Sequence, residues 1–318
     1  MKKYLLPQGG NYYKANLHCH STVSDGHLSP LELKNLYKSM GYSIIAYTDH
    51  RIMVSHPELA DEEFLPLNGF EINIDETGNL HSSLLKTCHM CLIALEPDNE
   101  KIVTWEKNRY TAEYVSEIMK RGRDSGFFVT YNHPAWSGES YEQYMNYHHM
   151  NALEILNHCG IYKGVEDYCP WVYDDMLRGG ERIYCVAADD NHNSKRSRNR
   201  DSGGGWVMIK ADQLEYRTIT KALESGNFYA SSGPEIHDLW IEDGQLHVTT
   251  SDAAQIRFGF GNRNAMRIWP EEGEDSLNYG SVKLDPHGIY VRVTVIETSF
   301  VSPRLVRPCS WARAILNS

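Results

Sequence analysis

No run of about 18 apolar residues occurs anywhere in the chain, so nothing in it reads as a membrane-spanning helix. The opening MKKYLLPQGG carries lysines, but its apolar run stops at Pro7, too short for a secretory signal. Residence in the cytoplasm is therefore expected, with no membrane contact. Basic residues are in deficit: 31 Lys and Arg stand against 42 Asp and Glu, a formal net charge of −11. That balance excludes a surface built to grip long nucleic acid, although bound metal ions can reverse the field locally. The cysteines number seven, with no regular spacing, which excludes a disulfide framework and predicts free thiols. Internal repeats and low-complexity tracts are absent.

What is present is an ordinary globular composition. With 41% hydrophobic and 23% charged residues over 318 positions, the chain suits two units, or one barrel-sized unit and a smaller one. Strand-like runs recur at Tyr13 to His18, Ser43 to Tyr47, within Phe64 to Ile74, and at Cys88 to Leu95. They continue at Phe127 to Tyr131, Leu153 to Leu156, Arg182 to Ala187 and Trp206 to Ile209. Helical stretches fall between several of them. One opens at Ser29-Pro30-Leu31-Glu32, with a capping serine, a proline in the first turn and a reciprocal glutamate, and stops at Gly41. Others span Thr111 to Asp124, part of Val165 to Leu177, and Gln213 to Glu224. The alternation predicts an α/β fold with a parallel sheet, closed into a barrel because six or seven such strands carry His, Asp or Glu at their ends. Beyond Ser232-Gly233-Pro234 come short alternating strands split by turn residues. They predict a small sandwich-like all-β domain over 233–318, after a first domain over 1–232.

The polar residues at the strand ends carry the chemistry. His18-Cys19-His20 places two imidazoles on one face of a strand end, and Asp25 follows on the loop. Further groups are His50 after Thr48-Asp49, Glu71, His89, His133 in Asn132-His133-Pro134, and Asp190-Asn191-His192. Any one of them alone would read as a structural residue. Together, imidazoles and carboxylates crowded at one rim need compensation, and divalent metal ions of the zinc, manganese or iron type provide it.

In order, HxH, SDG, TDH, Glu, His, NHP and DxH resemble the PHP (polymerase and histidinol phosphatase) superfamily over about residues 12–210. The resemblance implies a distorted (β/α)7 TIM-like barrel holding two to three divalent ions. It implies that His18, His20, Glu71 and Asp190 hold one ion, and Glu71, His89 and His133 a second. Asp25, His50 and His192 hold a third, and Glu71 bridges the first two. His81 competes with His89, and Asp190 is favoured over Asp189 by the DxH spacing. The implied activity is hydrolysis of a phosphate ester, either a phosphorylated small molecule or a short nucleotide, by a metal-activated hydroxide. Glu71, Asp190 and His192 are the catalytic candidates. The alternatives are a 5'-3' exonuclease on short RNA or DNA, or a non-catalytic metal-binding scaffold whose β domain binds a partner.

Other features read less sharply. Arg51, Arg196, Arg198 and Arg200 are candidates for gripping a phosphate, against the plain reading of a solvated charged loop. Gly203 to Gly205 reads as a flexible turn, since no Gly-Lys-Ser or Gly-Lys-Thr follows it. Cys88 and Cys91 have CxxC spacing but face opposite ways on a strand. His148, His149 and His158 read as surface or loop residues. Trp136, Tyr141, Tyr144, Tyr147 and Trp171 either pack or line a substrate mouth.

Overall fold

The computed structural model describes residues 1–297, 309–312 and 315–316. Its first part carries strands β1 (Lys3–Tyr4), β2 (Asn11–Asn16), β3 (Ile44–Tyr47), β4 (Leu65–Asp75) and β5 (Thr87–Ala94). It continues with β6 (Phe127–Asn132), β7 (Ala152–Asn157), β8 (Tyr184–Ala188) and β9 (Trp206–Ala211). Helices α1 (Pro30–Ser39), α2 (Ala112–Asp124), α3 (Tyr141–Tyr144), α4 (His158–Lys163), α5 (Pro170–Arg178) and α6 (Tyr216–Ser225) connect them.

Local chemistry explains the helix ends. The Ser29 hydroxyl accepts from Glu32 N, and the Glu32 carboxylate accepts from Ser29 N, the reciprocal box that opens α1. Thr111 caps α2 by accepting from Tyr114 N at 3.2 Å, and the helix buries Val115, Ile118 and Met119 on one face. The helix sought within Val165 to Leu177 begins only at Pro170, and the short α4 precedes it.

The sheet is mixed rather than parallel throughout. β2–β3, β3–β4, β6–β7 and β7–β8 pair in parallel. β5 runs antiparallel to both β4 and β6, and β9 antiparallel to β2. The connection from β4 to β5 holds a single 3-10 turn, Ser82–Leu84, and no crossover helix. A parallel return needs such a crossover, so the chain reverses instead. This reversal brings the start of β5 to the edge where the other strands end, with His89 opposite Asn73 and Asn132. At the same edge the segments following β2 and β8 meet: Asp190 N donates to His18 O at 2.9 Å and His20 N to Asn191 O at 3.1 Å.

The remaining strands are β10 (Phe228–Ser231), β11 (Ile236–Glu242), β12 (Gln245–Gly259), β13 (Ala265–Ile268), β14 (Leu277–Lys283), β15 (Tyr290–Glu297), β16 (Cys309–Ala312) and β17 (Ile315–Leu316). Their pairings are antiparallel, and β10 joins them to β9. Leu239, Leu246, Val248, Ile256 and Val293 form an apolar cluster separate from the one beneath the first strands. β1 pairs with β11, and Leu5 and Leu6 join that second cluster. Asp174 of α5 fastens the two parts, accepting from Tyr290 OH at 2.6 Å and from Arg292 Nη2 at 2.7 Å. Among the described residues, no helix is long and apolar enough to cross a membrane, and Cys19, Cys88, Cys91, Cys159, Cys169 and Cys185 are free and buried.

Candidate metal centre

The strand ends converge on one cluster, and Glu71 lies at its centre. Glu71 leaves β4 buried among imidazoles. Its Oε1 is 3.2 Å from His18 Nε2, 3.1 Å from His89 Nδ1 and 3.3 Å from His133 Nε2. Its Oε2 is 3.0 Å from His50 Nδ1 and 3.5 Å from His20 Nε2. Asp190 Oδ1 lies 3.0 Å from His20 Nε2 and 3.3 Å from His18 Nε2. Asp25, the more exposed carboxylate, faces His192 Nε2 at 3.5 Å, His50 Nε2 at 3.6 Å and His20 Nδ1 at 3.7 Å. Thus His18, His20, Asp25, His50, Glu71, His89, His133, Asp190 and His192 share one site. Three groups have ligand atoms all within 4.8 Å of one another: His20, Asp25, His50 and His192; His18, Glu71 and His133; and His18, His20 and Asp190.

Several rings are oriented from behind. A carboxylate only accepts, so His18 Nδ1 donates to Glu154 Oε1 at 3.1 Å and leaves Nε2 facing the cluster. His192 Nδ1 donates to the Asp190 carbonyl at 2.9 Å, and His133 Nδ1 meets Ser137 Oγ at 3.2 Å. Asp49 holds the loop that carries Asp25, accepting from the hydroxyls of Ser21 at 2.8 Å and Ser24 at 2.7 Å. Held this way, those hydroxyls are donors to a carboxylate rather than free nucleophiles.

The electrostatics show what protein groups alone leave unmet. Burial works to raise the Glu71 carboxyl, yet the His18 and His89 imidazoles hold it well below the usual carboxylate range. Burial opposes ionisation of Asp190 too, and His18, His20 and His192 reverse that effect. Burial pushes His20 and His89 down, towards the neutral ring that binds metal. Burial also disfavours charge on His133 and His192, but the bond that Glu71 accepts carries His133 up to about 9, and Asp25 and Asp190 carry His192 up to about 11. His20 Nδ1 is buried and has no hydrogen-bond partner. An orphaned ring nitrogen among crowded imidazoles and carboxylates fits a divalent cation, whose charge such a donor set accommodates.

His81 is exposed and bonds Ser83, while His89 faces Glu71. Asp189 is turned away from the cluster. It accepts from Gly203 N at 2.7 Å, Gly204 N at 2.8 Å, Gly205 N at 3.0 Å and Tyr37 OH at 2.8 Å. The glycine run is therefore a packed carboxylate cradle, not a flexible turn. A Cβ on Gly204 would fall 2.1 Å from the His158 ring. Gly204→Ala should cost about 1–3 kcal/mol of stability, read by chemical denaturation. Unchanged stability would mean that the cradle yields freely.

Arg196, Arg198 and Arg200 are exposed and do not line the cavity at the cluster. Arg51 lines another cavity of about 570 Å³ with Phe70 and Trp105, where none of the clustered side chains projects. The cavity at the cluster is smaller, about 310 Å³, and is the one the donor atoms face. Among the candidate aromatics, Trp136 lines this cavity, whereas Tyr144 and Tyr147 are buried. Sequence reasoning passed over Glu154, Asn132 and Lys163. Asn132 Nδ2 donates to Glu71 Oε1 at 3.1 Å, and Lys163 lines the cavity. The signal for Glu154 was a single carboxylate inside the apolar run Leu153 to Leu156.

Comparison with known proteins gives a family match. The PHP domain model matches residues 16–176. No curated protein matches the chain. Among solved structures, a two-domain Bacteroides vulgatus protein containing a predicted PHP-like metal-dependent phosphoesterase aligns over 98% of both chains, at 15% identity and TM-score 0.48. An inferred metal-dependent phosphoesterase of Bifidobacterium adolescentis aligns over 59% of this chain and 89% of its own, at 15% identity and TM-score 0.38. A Chromobacterium violaceum amidohydrolase with bound sulfate and no metal aligns over 56% of this chain and 87% of its own, at 16% identity and TM-score 0.37.

Proposed function

We infer the function from one premise: the chain belongs to the PHP domain family, whose model spans residues 16–176. We propose that it is a metal-dependent hydrolase of phosphate esters acting on a small phosphorylated molecule. The observation that carries this reading is the contact of Glu71 with five imidazoles, those of His18, His20, His50, His89 and His133. His18, His20, Glu71 and Asp190 would hold one ion, Glu71, His89 and His133 a second, and Asp25, His50 and His192 a third. His20 also reaches the last group. Divalent ions there, of the manganese, zinc or iron type, supply a water acidified towards neutral pH and a Lewis-acid contact to a phosphoryl oxygen. The chain's part is to fix the rings from behind through Glu154, Ser137 and the Asp190 carbonyl. Glu71, Asp190 and His192 are the groups assigned nearest the reacting phosphate.

A cavity of about 310 Å³ favours a compact ester over an oligonucleotide. The bonds joining His18 and His20 to Asp190 and Asn191 support a closed, distorted barrel. The second apolar cluster supports a separate accessory unit over 233–318, to which the first six residues also contribute.

Metal content by mass spectrometry, paired with phosphate release from nucleotides, sugar phosphates and short RNA, tests the reading. Two to three ions per chain with release from a small ester support it. Release from short RNA alone would favour the exonuclease, and bound metal without release a scaffold. Protein that takes up neither added manganese nor zinc would sink the metal centre.

The pH dependence has a definite sign. Because His133 and His192 keep their protons above pH 7, an ion must expel them, and rising pH removes that competitor. Metal uptake at pH 7 should release protons, and affinity should keep climbing above the ordinary imidazole value of about 6.5. Indicator-dye titration in weak buffer checks this. Saturation without proton release would remove these two rings from the ligand set.

A further inference from the structure

We propose that Lys163 is the cation that receives the substrate's phosphoryl group, and that Trp136 forms the wall against which the esterified alcohol packs. This rests on the phosphoesterase reading. Among the described residues Lys163 is the one Lys or Arg lining the cavity at the cluster. Among the described residues no carboxylate lies within 4.0 Å of its ammonium, whereas Lys34 and Lys38 both pair with Asp61. The Lys163 ammonium therefore carries no contact ion pair among the described residues. That leaves it available to a dianion.

The helix beneath it is tied to the cluster. Asn157 caps α4 by accepting from Gly160 N at 2.8 Å, and its Nδ2 donates to Asp190 Oδ2 at 3.2 Å. Cys159 N donates to Asp189 O at 2.9 Å. Gly160 lines the cavity, and a Cβ there would lie 2.8 Å from Asp167 Cβ, so α4 packs this closely against Asp167 only with glycine at 160. Trp136 also lines the cavity, its ring 5.3 Å from that of His89 and 5.0 Å from that of His133, and 44% exposed. A ligand filling the cavity meets the Lys163 ammonium and, beside His89 and His133, a flat apolar face. The matching substrate class is a phosphate monoester of a single compact alcohol with a flat face.

The test uses metal-loaded full-length protein and two readouts: inorganic phosphate affinity by calorimetry, and KM with kcat for the best ester. Lys163→Met should keep the wild-type metal content, weaken phosphate binding and raise KM about 10- to 100-fold, with the smaller change in kcat. Lys163→Arg should recover most of both. Arg198→Ala should change neither by more than about twofold. Trp136→Ala should raise KM for ring-bearing esters and spare glycerol phosphate. Wild-type affinity for phosphate in Lys163→Met, a wild type that binds no phosphate, or a loss in Arg198→Ala instead would each overturn the assignment of Lys163. An equal rise in KM for both ester types in Trp136→Ala would remove Trp136 as the wall. A wild type that loads metal, binds phosphate through Lys163 and hydrolyses no ester would sink the phosphoesterase reading while leaving the anion site standing.

Discussion

Glu71→Gln should fold, lose most of its metal and lose phosphate release with it. The substitution keeps the side chain's shape but removes its charge and turns one acceptor into an amide donor. Oε1 faces His18, His89 and His133, and Oε2 faces His20 and His50, so no rotamer of the amide offers acceptors to both sets. The loss should exceed the roughly 10- to 100-fold that follows removal of an outer partner of a metal ligand. Metal per chain and initial rate of phosphate release, measured on the same preparation, check it. A variant with full metal and reduced rate would make Glu71 a group beside the ions rather than a bridge between them.

The sequence announces the ring of donors because that information is local. His18 and His20 sit two apart, as do Asp190 and His192, and each pair lies just past a strand end, after β2 and after β8. The capping box of α1 is equally local. Direction and partner choice are not. Nothing within Thr87–Ala94 says that β5 runs against its neighbours; that follows from a connection without a crossover helix. The Gly203 to Gly205 run looks loose in sequence because its partner, Asp189, lies beyond the loop and shows itself only when the chain closes on it. The arginines after His192 look well placed by proximity in sequence. They are exposed outside the cavity, while Lys163, from another connection, lines it.

Glu154 shows how a residue outside the ligand motifs can govern the centre. It sits fully buried in β7, and it is bonded to His18, His133 and Asn157. Oε1 accepts from His18 Nδ1 at 3.1 Å, while Oε2 accepts from His133 N at 2.9 Å and Asn157 Nδ2 at 3.0 Å. One carboxylate thus sets the tautomer of His18, the backbone position of His133 and the residue that opens α4. Glu154→Gln keeps the volume but removes the charge that favours the Nδ1–H form of His18. Metal affinity should fall about 10- to 100-fold, measured by chelator competition. Glu154→Leu should add a stability loss visible even with chelator present, because buried donors on His18 and His133 then lose their Glu154 acceptor, at about 1–3 kcal/mol each, while Asn157 Nδ2 keeps only Asp190. If Gln weakened folding and left metal affinity intact, Glu154 would be a packing residue. Retained folding with weakened metal would instead place control of the centre in a strand that no ligand motif marks.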